Sequence, residues 1–253
     1  MVGTEHIVAF AAAFLAGAVN AVAGGGTLLT FPALIWLGLP TVTASATNTV
    51  ALWPGSLGAL WGYRAELRAV DPRLFLMAIP SVVGGLAGAS LLRLTPLPVF
   101  DRLVPLLVLF ATALFAVQEP IQRRLGGRHI QVDRRRWMAS VLCFQLAVGV
   151  YGGYFGAGIG ILMLAALSII GMADIHEMNA LKTFLAIFVN GVAASYFIAM
   201  GMVSWSEALI MGTGAIAGGI GGAGVARRVE RRTVRWAIIC IGVTMALSLA
   251  LRL

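Results

Sequence analysis

The chain has 253 residues, of which 60% are hydrophobic and 11% charged, and its mean hydropathy is +0.94. Soluble domains are about 45–50% apolar, so this composition excludes a water-soluble globular protein and predicts a polytopic membrane protein. The net charge of +8 does not point to nucleic acid, because the arginines lie between apolar runs, where the positive-inside rule puts them.

The first segment, 6–39, holds GAVNAVAGGGTLLTFPALIWLGL, in which Gly24, Gly25 and Gly26 interrupt an apolar run. No Lys or Arg precedes Arg64. The N-terminal apolar stretch therefore lacks the basic region of a signal peptide and is read as a retained membrane helix. After the break, Thr27 to Gly38 extends roughly 16 Å at 1.5 Å per residue, about half a bilayer. Apolar helices of spanning length follow at 42–63, 73–93 and 100–118. Trp53-Pro54-Gly55 is expected to break the first of these and to serve as a hinge. A polar, Arg-rich linker, 119–136, closes this half.

The second half, 137–253, repeats the plan. Segment 137–172 carries GVYGGYFGAGIGILMLAALSIIGM, and helices are expected at 174–201, 205–226 and 233–251. Gly17, Gly24, Gly26 and Ala33 pair with Gly149, Gly156, Gly158 and Ala165. At a shift of 134, Gly84-Gly85 and Gly88-Ala89 pair with Gly218-Gly219 and Gly222-Ala223, and Arg93 with Arg227. The small-residue spacing of these helices suits close helix packing in lipid. No strand precedes GAGIG or GGIGGAG, so neither reads as a nucleotide-binding loop.

Charge decides how the broken segments run. If each crosses once and the N-terminus is inside, ten loop arginines lie inside and seven outside, and Arg227, Arg228, Arg231, Arg232 and Arg235 fall on the outer face. If each is a re-entrant hairpin and the N-terminus is outside, 14 arginines lie inside and three outside. The hairpin arrangement obeys the positive-inside rule better. A hairpin plus three crossings is an odd unit, so the second half is inverted relative to the first. The expected fold is thus an all-α polytopic membrane protein of two inverted repeats, each a Gly-broken re-entrant hairpin plus three transmembrane helices. Paired Gly-interrupted segments of this kind point to a transporter's substrate site.

A helix that starts inside the membrane presents backbone N–H groups and the positive end of its dipole, which together attract an anion. Two such starts, near Thr27 and Ile159, would face one central volume, with Gly24, Gly25, Gly26, Gly156 and Gly158 allowing close backbone approach. At the shift of 134, Asn48 pairs with Lys182 and Thr49 with Thr183. Asn48 lies roughly 12 Å past Pro40, near the depth of the breaks. Lys182 is the only lysine in the chain, and an intramembrane charge marks a functional site by default. Its alternatives are an ion pair with Glu177 or a snorkelling side chain. Asn20 and Asn190 read as interhelical hydrogen-bonding residues, and Gln145 as either path-lining or packing. Cys143 and Cys240 read as buried free thiols. The site chemistry is cationic and rich in donors, which suits a small anion.

These residues resemble the TauE/SafE family of sulfite and organosulfur anion exporters over nearly the whole chain. The resemblance rests on AGAVNAVAGGGTLLTFPAL, SATNTVAL, and the second Gly-rich copy followed by NALKTF. The second copy departs from the first, with Leu164 in the place of Pro32 and Ala157 interrupting the glycines. The resemblance implies outward transport of a sulfur-containing anion across the bacterial inner membrane, with no cofactor. A passive anion channel or a carrier of a non-sulfur organic anion would use the same cationic site. An enzyme is disfavoured. His176-Glu177 begins an HExxH pattern, but Ala180 stands where the second His belongs, and Leu181 to Thr183 lacks the glycines of a P-loop. His176 and Glu177 could carry a coupling proton only if they face the cavity. The expected partners are a small anion and the bilayer, and the Gly-rich faces are compatible with a homodimer.

Overall fold

The computed structural model describes residues 2–22, 25–125, 134–169, 172, 174–226 and 231–251. Gly24, linker residues 126–133, Arg227 and Arg228 lie outside the described residues. The described chain is helical, without strands: α1 (Val2–Val22), α2 (Thr27–Trp36), α3 (Thr41–Gly62), α4 (Arg64–Ala69), a 3-10 helix (Pro72–Met77), α5 (Ala78–Leu94), α6 (Leu97–Leu125), α7 (Arg134–Tyr154), α8 (Ile159–Ile169), α9 (Ile175–Ala199), α10 (Trp205–Ala226) and α11 (Arg231–Ala250).

Glycine makes the two breaks. Gly25 has φ +94°, and Gly156 and Gly158 have φ +80° and +81°. This left-handed region is costly for any residue with a Cβ, so the helix stops there and a new one starts. Among the described residues, Pro72–Leu94, Leu97–Val117 and Ile175–Ala199 are long and apolar enough to cross a membrane. The apolar parts of α1 and α7, His6–Asn20 and Ala139–Tyr154, are shorter, and α2 and α8 are shorter still.

Three boundaries differ from the sequence reading. Trp53-Pro54-Gly55 does not break its helix, because α3 runs unbroken with Pro54 inside it. The expected linker is partly helical: α6 continues to Leu125 and α7 begins at Arg134. The loop after α3 folds into the short α4 and the 3-10 helix, whose start is capped by Asp71 accepting from the Arg73 backbone N–H at 2.9 Å.

The helix pairing reads the same from either half. α1 lies along α10, as α7 lies along α5. α3 meets α10, as α9 meets α5, and α2 touches α11, as α8 touches α6. α3 also meets α9, and α6 meets α11. Glycines permit the closest pairs. A Cβ on Gly84 would lie 2.5 Å from the Leu146 carbonyl oxygen on α7, and one on Gly218 would lie 1.9 Å from that of Phe14 on α1. At 134 residues' separation, Trp53 Nε1 donates to the Ile187 carbonyl at 3.2 Å, joining α3 to α9.

Apolar side chains cover the outside: Ile7, Leu15, Ile79, Leu106, Leu209 and Ile220 are all exposed. A continuous apolar exterior is unfavourable in water and favourable in lipid. Cys143 and Cys240 belong to this exterior and are exposed rather than buried; on a lipid-facing helix surface a thiol serves as a small apolar group. Gln145 packs instead of lining a path. It is fully buried and donates from Nε2 to Ser81 Oγ at 2.8 Å. The inside holds the opposite chemistry, with Thr30, Ser45, Thr47, Asn48, Thr49, Lys182 and Thr183 all buried.

Candidate functional site

The two helix breaks and the middles of α3 and α9 enclose a central cavity of about 100 Å³. Its walls include Gly25, Thr27, Asn48, Thr49, Gly156, Gly158, Ile159, Lys182 and Thr183. Residues from both halves of the chain thus meet in one volume. Gly26 faces away from it. Its N–H donates to Asn20 Oδ1 at 2.8 Å, so α1 caps the start of α2 internally and that donor is not offered to a ligand.

Asn48 is locked in place. Its Oδ1 accepts from the Thr30 hydroxyl, and its Nδ2 donates to Thr27 Oγ1 at 3.4 Å. The amide nitrogen therefore points toward the Thr27 side of the cavity with one N–H to spare. The two threonines contribute less than expected. Thr49 donates to the Ser45 carbonyl at 3.1 Å and Thr183 to the Asn179 carbonyl at 2.7 Å. Each hydroxyl proton is committed to its own helix, leaving lone pairs rather than donors facing inward.

Lys182 is 5% exposed. Its Nζ donates to Asn179 Oδ1 at 2.9 Å, and Asn179 in turn donates from Nδ2 to the Ile175 carbonyl at 2.9 Å. This short relay along one face of α9 aims the ammonium. The stem lies over Gly160, where a Cβ would come within 3.3 Å of Lys182 Cδ. The expected alternatives both fail: the side chain is buried instead of snorkelling, and it bonds Asn179 instead of Glu177. No carboxylate pairs with it among the described residues. A buried cation without a counter-charge is unfavourable, and an anion in the adjoining cavity would compensate it.

The second helix start is more open than the first. The N–H groups of Gly158 and Gly160 have no hydrogen-bond partner among the described residues, and that of Ile159 reaches the Gly156 carbonyl at 3.5 Å, a long contact. Gly152 occupies the position equivalent to Asn20, so no side chain is available to cap this break. The Tyr151 hydroxyl steadies it by donating to the Ala157 carbonyl at 2.7 Å.

Asn20, Ser56, Gly160 and Asn190 also line the cavity. Asn20 makes the expected hydrogen bond between segments and lines the cavity as well, whereas Ser56 and Gly160 are not among the residues expected from the sequence. One signal was available: Ser56 and Asn190 pair at the same shift of 134. Asn179 carried none. His176 is exposed, and neither it nor Glu177 lines the cavity. No group of three or more His, Cys, Asp or Glu able to hold a metal occurs among the described residues.

A family model described as "Sulfite exporter TauE/SafE" matches residues 9–249. The chain belongs to this family. Relatives of a TauE/SafE member this size align over nearly their full length. A "Probable membrane transporter protein ORF9" of Sinorhizobium sp is 29% identical, covering 96% of this chain and 92% of its own. A probable membrane transporter protein of Haemophilus influenzae is 28% identical, covering 93% and 91%. The probable membrane transporter protein YfcA of Escherichia coli K12 is 27% identical, covering 96% and 88%. No solved structure shows a significant match. This TauE/SafE protein is a helical membrane transporter and not an enzyme.

Proposed function

We propose that the protein is a secondary transporter that exports a small sulfur-containing anion, of the sulfite, sulfonate or sulfoacetate class, across the bacterial inner membrane. One observation carries this reading: Lys182, buried and without a carboxylate partner among the described residues, borders a central cavity beside the Gly158–Gly160 helix start. Lys182 supplies the charge, the backbone N–H groups of the second break and Asn48 Nδ2 supply donors, and the glycines leave room for the anion to approach the backbone. The family's description supports the sulfur oxyanion class.

The transport cycle we infer is alternating access about a fixed midplane site, built on two inverted repeats, 1–118 and 137–253, with each Gly-broken segment a re-entrant hairpin. The exchange-symmetric helix pairing and the short limbs α2 and α8 support this arrangement. Single cysteines at Thr4 and Gly38, with Cys143 and Cys240 replaced by Ser, test the topology. Re-entrant hairpins place both labels on the same side of the membrane; labelling from opposite sides refutes them.

The functional test is sulfite flux in proteoliposomes, alongside taurine, sulfoacetate, acetate and chloride. Saturable, counterflow-competent sulfite or sulfonate flux that is lost in Lys182→Ala is expected. Flux without saturation or counterflow would make the protein a passive channel. Flux of acetate or chloride alone would overturn the sulfur assignment.

A further inference from the structure

A second recess lies away from the central cavity, where the chain leaves the end of α3 and turns through α4 into the 3-10 helix. It has room for about 540 Å³, within the range of about 300–1,000 Å³ typical of ligand sites. Leu57, Leu60, Leu67, Val70 and Phe75 form its apolar walls. At its mouth stand Trp61, which is 74% exposed, and two exposed arginines, Arg64 and Arg68. Four residues apart on α4, the arginines share one helix face. Arg64 Nη1 donates to the Trp61 carbonyl at 3.0 Å, and its guanidinium sits 5.4 Å from the Trp61 ring centroid. These contacts hold the guanidinium at the rim and leave other N–H donors free. Among the described residues neither arginine pairs with a carboxylate, and Glu66 does not line the recess.

The recess sits between the end of α3 and the start of Pro72–Leu94, a segment of spanning length, and the ends of such segments meet the headgroups. An exposed tryptophan beside arginines is the usual interfacial pairing. A ligand that satisfies both the apolar walls and the two unpaired cations must be an amphiphile with an anionic head. We propose that this groove binds an anionic phospholipid from the surrounding leaflet, with its phosphate on Arg64 and Arg68 and an acyl chain against Leu57, Leu60 and Phe75. A soluble anion would leave the apolar walls uncovered, and a zwitterionic lipid would leave the cationic pair uncompensated.

The test uses the full chain in nanodiscs of phosphatidylcholine doped with spin-labelled phosphatidylglycerol or spin-labelled phosphatidylcholine. The motionally restricted fraction of each lipid is the readout. The native protein is expected to select phosphatidylglycerol, and Arg64→Gln/Arg68→Gln to weaken that selectivity about thirty-fold, from about five-fold per basic residue near the surface. Arg64→Lys/Arg68→Lys should retain most of it. Arg123→Gln/Arg124→Gln, which removes the same charge at the end of α6 away from the groove, should cost clearly less. Three results would overturn the proposal: equal restriction of both lipids, equal loss in the Arg123/Arg124 variant, or displacement of the labelled lipid by millimolar inorganic phosphate. The last would show a site for soluble anions instead. Matching thermal unfolding of native and variant proteins in pure phosphatidylcholine guards against a folding defect, and the Lys pair supplies the readout if the Gln pair fails that control.

Discussion

Lys182→Met separates a binding role from a structural one. Methionine keeps a straight, flexible stem over Gly160 and removes the charge. A charged side chain at the centre of a membrane helix costs about 2.5–3.5 kcal/mol on insertion scales, and the substitution relieves that cost. It also removes the Nζ–Asn179 hydrogen bond, a contact to a charged group worth about 1.5–3 kcal/mol. The two largely offset each other, so the ligand-free variant should unfold within about 2 kcal/mol of the native protein. Removing one member of a buried ion pair would instead cost about 3–5 kcal/mol. Bound anion changes the comparison. At a hundred times Kd, a ligand stabilises the native protein by about 2.7 kcal/mol, or about 5–10 °C in Tm at 2–4 °C per kcal/mol for a chain of this size. The assay is thermal unfolding in detergent, with and without saturating sulfite. The native protein should gain those degrees and Lys182→Met should gain none, from nearly the same starting Tm. A ligand-free loss above about 3 kcal/mol, or an undiminished sulfite shift in the variant, would refute the reasoning.

Other sites give sharper structural tests. At Gly25, φ is +94° and a Cβ would lie 2.9 Å from Phe115 Cδ2. Gly25→Ala should cost at least about 1 kcal/mol, and Phe115→Leu should not restore it fully, because the backbone penalty persists without the clash; full rescue in a double-mutant unfolding experiment would contradict this. Gly218→Ala should lower Tm sharply, because its Cβ would strike the Phe14 carbonyl, whereas Gly58→Ala, with nothing within 4 Å among the described residues, should be neutral or stabilising by up to about 1 kcal/mol. Gln145 Oε1 is buried with no hydrogen-bond partner among the described residues, so Gln145→Leu should change stability by no more than about 1 kcal/mol despite losing the bond to Ser81. A loss above about 2 kcal/mol in denaturant titration would mean that the carbonyl has a partner. Asn20→Ala removes the acceptor for the Gly26 N–H and should destabilise the first break by about 1–3 kcal/mol, read as a lower Tm; an unchanged Tm would mean that the cap adds nothing.

By itself, the sequence determined the solvent, the helical class and the positions of the two breaks. Those depend on local chemistry: apolar runs need lipid, and glycine alone tolerates the dihedrals at Gly25, Gly156 and Gly158. The closest helix contacts were legible for the same reason, since such contacts need small residues, as Gly84 and Gly218 show. Only the tertiary structure decided which donors face the centre. Gly26 belonged to the right motif, yet Asn20 had already taken its N–H. Thr49 and Thr183 stood at the right depth, yet their protons go to their own helices. Lys182 could have paired with Glu177 five residues away, and instead Asn179 holds it at the cavity wall. Each of these outcomes is a choice among hydrogen-bond partners within reach. Such choices turn on a few ångströms of three-dimensional placement, which residue spacing does not encode.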